Sequence, residues 1–88
     1  MTTEILIIDD NPDIRNILND LISDAGYKTR LAANYNQALT EIDKKLPEVA
    51  IIDVKLDKGD NDGIELLNHI KQKNKDIPVI IISGHANI

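Results

Sequence analysis

The 88-residue chain has no cysteine, no tryptophan and no phenylalanine. Without thiols, disulfide staples and thiolate metal sites are excluded, and a reducing compartment is the natural inference. Clustered basic charge is missing too: 10 Lys and Arg stand against 15 Asp and Glu, for a net charge of −5 and a pI near 4.8. A surface for nucleic acid or anionic membrane needs grouped cations, so neither is expected here. No aliphatic run approaches the length of a membrane span, and no basic segment followed by a signal-length apolar core opens the chain. The chain reads as soluble and cytoplasmic. Repeats, linkers and low-complexity tracts are also absent, and the length allows one domain at most. With 42% hydrophobic and 28% charged residues, that domain has the composition of an ordinary globular chain.

Four short apolar runs are present: "ILII" from Ile5, "YKTRLA" from Tyr27, "VAII" from Val49 and "PVIIIS" from Pro78. Helical spacing fills the gaps between them. Ile14, Ile17, Leu18, Leu21, Ile22 and Ala25 follow i, i+3, i+4, i+7, i+8, i+11, which predicts a helix with one buried face. Asn11 or Asp10 caps it, Pro12 begins it and Gly26 ends it. A second helix uses Ala38, Leu39, Ile42 and Leu46, with Asn34 or Asn36 as cap and Pro47 beyond its end. A third uses Ile64, Leu67 and Ile70, after Asp62. The order βαβαβαβ implies parallel strands joined by right-handed crossovers. Three runs are apolar throughout and suit strands covered on both faces, whereas "KTRLA" carries Lys28 and Arg30 at period two and suits an edge. The fourth run, Val79 to Ile82, has no charge to protect it and needs a neighbour on its far side.

In an open parallel sheet, ligands bind outside the carboxyl ends of the strands. The first run ends at Asp9 and Asp10, the third at Asp53 and the fourth at Ser83. Taken singly, Asp10 reads as a helix cap, Asp53 as a turn former and Ser83 as an ordinary strand end. Together they suggest a cation site. Asp53 interrupts "VAIIDVKL", where a charge is costly unless solvated or paired, and its expected neighbours are carboxylates that repel it. Mg²⁺ takes oxygen ligands and commonly pairs one or two carboxylates with phosphate oxygens, so phosphoryl transfer fits these residues.

The motifs "IDD" at the first strand end, "IIDV" around Asp53, "DGIELL" from Asp62 and "VIIISGHA" from Val79 resemble the receiver domain of two-component response regulators. The segment "IISGHANI" and the long loop before "DGIELL" resemble the NtrX and NtrC branch, NtrX most closely. This resemblance implies a flavodoxin-like (CheY-like) doubly wound α/β sheet, here four strands in the order 2-1-3-4 with three helices. It makes residues 1–88 the N-terminal portion of a receiver lacking its fourth helix, a fifth strand with a phosphate-binding lysine, and a fifth helix. It further implies Asp53 as phosphoacceptor, Mg²⁺ held by Asp10 directly, by Asp9 mainly through water, by Asp53 and by the backbone carbonyl of Lys55, and Ser83 as the switch hydroxyl. A sensor histidine kinase is the implied partner, and DNA contact belongs to an output module elsewhere in a transcriptional regulator. Such a chain is a switch more than an enzyme.

Receivers commonly place Pro four residues and Gly eight residues after the phosphoacceptor, whereas this chain has Asp57 and reaches Gly63 only ten residues on. Asp57, Asp60 and Asp62 in that loop lack the regular spacing and terminal Glu of a calcium-binding loop. An Mg²⁺-dependent phosphatase with an Asp nucleophile is disfavoured because Lys55 stands two residues after Asp53, where such enzymes use an acid. His69 and His85 read as surface residues, and Tyr27 and Tyr35 as core-edge packing. The competing reading is an interaction module, independent of phosphorylation, that dimerises through the fourth-strand edge.

Overall fold

The computed structural model describes residues 3–53 and 62–82. Its elements are β1 (Glu4–Ile8), α1 (Pro12–Asp24), β2 (Lys28–Ala32), α2 (Tyr35–Lys44), β3 (Val49–Asp53), α3 (Asp62–Lys73) and β4 (Val79–Ile82). All strand pairs are parallel, in the order β2-β1-β3-β4, the doubly wound arrangement expected.

Two of the all-aliphatic runs, β1 and β3, take the centre because a strand with helices over both faces has no polar side to offer, whereas the third, β4, ends the strand order with Ile80 and Ile81 exposed, not covered on both faces as its composition suggested. Leu6, Ile7 and Ile8 of β1 are fully buried, and each such side chain contributes about 1.5–3 kcal/mol. One face of the sheet, with Leu6, Ile8, Ala50 and Ile52, packs against Ala38 and Ile42 of α2 and Leu66 and Ile70 of α3. The other, with Ile5, Ile7 and Ile51, meets Leu18 and Ile22 of α1.

Asn11 caps α1, its side-chain oxygen accepting from the Asp13 and Ile14 amides at 2.9 and 3.3 Å. At the other end the Tyr27 amide donates to Ile22 and the Gly26 amide to Ser23, a termination that holds Gly26 at φ +99°. No heavy atom lies within 4 Å of a Cβ built at Gly26, so backbone conformation alone selects glycine there. Asn34 caps α2 by accepting from the Gln37 amide, and the Gln37 side chain accepts from the Ala33 amide.

Three sequence expectations change. The apolar stripe of α1 is wider than the face that the sheet covers: Leu18 and Ile22 are half-buried, while Ile14, Ile17 and Leu21 are exposed. The helix is seated on the sheet by Leu18 and Ile22. Thr29 of β2 hydrogen-bonds Asn19 and contacts Ser23, which turns those residues toward β2 and leaves Ile14, Ile17 and Leu21 on the opposite flank. In α3 the core position falls to Leu66, with Ile64 exposed and Leu67 half-buried. Tyr27, just past the Gly26 turn, is exposed, whereas Tyr35 packs on the core as expected.

Strand β2 is an edge, as its charges suggested, but Arg30 is no solvated guard. Its guanidinium lies 2.8 Å from Glu4 and 3.0 Å from Glu41, and it donates to the carbonyls of Glu41 and Lys45. The Arg30–Glu4 contact falls outside hydrogen-bond angles, so it acts as a coulombic pair. These side chains are only 16% and 8% exposed, and Lys28 reaches Glu4 only at 3.7 Å from solvent. Removing Arg30 strands a buried carboxylate. Arg30→Ala is expected to cost about 3 kcal/mol in urea unfolding followed by circular dichroism, and the double change Glu4→Leu with Arg30→Met to recover most of it. Unchanged stability in Arg30→Ala would show that the cluster is not a staple.

The hydrogen bond from Arg30, with help from Lys44, lowers the Glu41 carboxyl pKa below its ordinary 4.5. A depressed carboxyl pKa stabilises the fold above the unfolded value, and that stability is lost as pH falls through the folded one. Glu41→Gln is therefore expected to flatten the decline in stability below about pH 4.5. An acid limb unchanged by the substitution would contradict this.

Candidate metal centre

Parallel pairing aligns the carboxyl ends of β1 and β3. Ile8 stands opposite Ile52, and the residues that follow each, Asp9 and Asp53, both carry carboxylates into the buried rim of the sheet. They are 3% and 4% exposed, while Asp10, one residue further, is exposed. The three each offer a carboxylate oxygen, and these oxygens lie within 4.8 Å of one another. Two sequence-distant segments thus converge where the sequence placed the site.

Three hydrogen bonds fix Asp9. Its amide donates to the Ala32 carbonyl at 3.1 Å, extending the β1–β2 ladder. Its carboxylate accepts from the Asn11 amide at 2.9 Å, and its carbonyl accepts from the Arg15 guanidinium at 2.8 Å. Asn11 consequently serves two ends, the acid through its backbone and the helix through its side chain. Helix capping and acid placement use different atoms and coexist.

Neighbouring carboxylates, two of them buried, repel one another at this separation unless a cation stands between them. The donor set is all oxygen and contains no sulfur or imidazole, which suits a hard divalent ion such as Mg²⁺. Asp9, Asp10 and Asp53 could hold it. Of the other residues assigned to the site, Ser83 and Lys55 lie outside the described residues, as do Asp57, Asp60 and His85. Ser83 directly follows Ile82, which pairs with Asp53 in the β3–β4 ladder.

Asp62, read in sequence as a loop acid, is the first residue of α3 and is buried. His69 stays away from the acids, on the surface between α2 and α3, with its Nε2 3.2 Å from Asp43. Arg15 was not singled out by sequence reasoning. Its signal was present: it is the one basic residue of α1, and it sits in the turn nearest the acids.

A model of the response regulator receiver domain matches residues 5–88. The nitrogen assimilation regulatory protein NtrX of Azorhizobium caulinodans is 41% identical over 88 residues, covering all of this chain and 19% of that protein. A CheY-like receiver domain protein from Methanospirillum hungatei superposes with a TM-score of 0.89 at 26% identity, over 100% of this chain and 69% of its own. The response regulator TrrA of Thermotoga maritima, solved with Mg(2+)-BeF, gives 0.86 at 27% identity, over 97% and 72%. The chain spans about a fifth of the length of the NtrX relatives it matches. Topology, the acids at the strand ends and the family match agree: this chain belongs to the response regulator receiver domains of two-component systems, and within them it is NtrX-like.

Proposed function

We propose that the chain is the phosphoacceptor part of a cytoplasmic transcriptional response regulator, with Asp53 receiving a phosphoryl group from a sensor histidine kinase. The convergence of Asp9, Asp10 and Asp53 within 4.8 Å carries this reading. A bound Mg²⁺ would neutralise the acids and screen the incoming phosphoryl oxygens. An Asp53 oxygen then attacks phosphorus in line, the bond from phosphorus to the donor's imidazole nitrogen breaks, and the electron pair leaves with the imidazole. The product is an acyl phosphate on Asp53. Asp10, exposed at the rim, would bind the metal directly, Asp9, held deeper, mainly through water, and Asp53 would be a further ligand. The Lys55 carbonyl would complete the protein ligands, and the Ser83 hydroxyl would donate to a phosphoryl oxygen, coupling the modification to a surface change. The Mg(2+)-BeF complex of the Thermotoga relative supports the same chemistry here. Residues 1–88 act as the N-terminal portion of that receiver, and DNA binding belongs to the regulator's output module.

Incubation with acetyl phosphate and Mg²⁺ is expected to add one phosphoryl group, seen by intact mass. Asp53→Asn or excess EDTA should abolish the adduct. No adduct on folded wild-type chain would overturn the reading for these residues.

A second reading rests on β4, a strand with no charged residue, in which Ile80 and Ile81 are 51% and 38% exposed. Such an edge is a template for pairing with another chain. Sedimentation should then show a dimer that Ile81→Lys dissociates, whereas a wild-type monomer across the concentration range would exclude pairing.

A further inference from the structure

We infer that Arg15 is a positioning residue for the acidic turn, an inference that rests on the metal-binding reading above. Its guanidinium donates to the Asp9 carbonyl at 2.8 Å and is half-buried. That carbonyl belongs to the peptide joining Asp9 to Asp10. Its plane sets the direction in which the Asp10 side chain leaves the backbone. The Asp9 amide is tied to Ala32 and the Asp9 carboxylate to Asn11, while Arg15 restrains the far side of Asp9, toward Asp10.

The placement runs against the helix's own preference. Arg15 lies at the fourth position of α1, near the positive end of the helix dipole, while the last turn, which favours a cation, has none. A basic residue in the unfavourable turn calls for a compensating partner, and the Asp9 carbonyl with the neighbouring acids is that partner. The guanidinium bonds the backbone carbonyl of Asp9, an atom outside the set of carboxylate oxygens that Asp9, Asp10 and Asp53 offer. It can hold the turn in place while leaving those oxygens to a cation.

Charge and position predict opposite outcomes, which makes the assignment testable. If Arg15 acted only by its charge, Arg15→Gln would tighten Mg²⁺ binding by removing a like-charged neighbour. If it positions the turn, the same substitution loosens binding about tenfold, the scale on which partners of metal ligands act. Arg15→Lys, which keeps one donor, should recover most of the affinity. The measurement is a Mg²⁺ titration of the full 88-residue chain, followed by the amide resonances of Asp10 and Asp53. A metal-free arm records the Asp9 carbonyl ¹³C resonance, which reports the hydrogen bond to that oxygen. It should move in Arg15→Gln and return toward wild type in Arg15→Lys.

Tighter binding in Arg15→Gln overturns the proposal. So does unchanged affinity with an unmoved carbonyl resonance, even if thermal stability drops, because that pattern belongs to a residue that only supports the fold. Wild-type Asp10 and Asp53 resonances that ignore Mg²⁺ overturn the metal reading instead. The metal-free spectra then still decide whether Arg15 holds the turn.

Discussion

The register between β1 and β3 is the constraint from which the rest follows. In a parallel ladder, strands that run the same way end on the same side, so pairing Ile8 with Ile52 delivers Asp9 and Asp53 to one rim. Forty-four positions separate them in sequence. A one-residue slip would invert every side chain of one strand, exchanging the layer that faces α1 for the layer that faces α2 and α3. Burial of β1 on both faces makes that slip costly, so core packing and acid placement share one cause.

The two ends of the sheet treat charge in opposite ways. At the amino end, Glu4 is buried but answered by Arg30, whose remaining donors go to Glu41 and Lys45, tying edge strand β2 to α2. At the carboxyl end, three carboxylates cluster, and Arg15 bonds the Asp9 backbone carbonyl. One end is a neutralised structural pair. The other gathers three oxygen donors from acids, a set that suits a hard cation.

Much of this was legible in the chain because local chemistry reported it. Uninterrupted aliphatic runs marked the central strands, Asn-Pro and Gly26 marked the limits of α1, and Asp53 inside an apolar run marked the site. Other features were hidden because each needs a distant partner. Nothing near Glu4 announces that it is buried, since Arg30 is 26 residues away. The periodicity of α1 could not show which part of its stripe meets the sheet, because that depends on how Leu18 and Ile22 seat against Ile5, Ile7 and Ile51 of distant strands. In α3 the choice of Leu66 over Ile64 follows from the seating of the helix on β3, which spacing alone leaves open.

By itself the sequence determined the alternation of strands and helices, the two charged edge positions and the three acids, since each depends on residue type and near neighbours. Tertiary structure alone decided that the acids meet within 4.8 Å, that Arg30 is a buried staple and that Arg15 grips the turn beside Asp10. Such contacts depend on the register and rotation of whole elements. Those are set by burying large surfaces together, and no local run of residues encodes them.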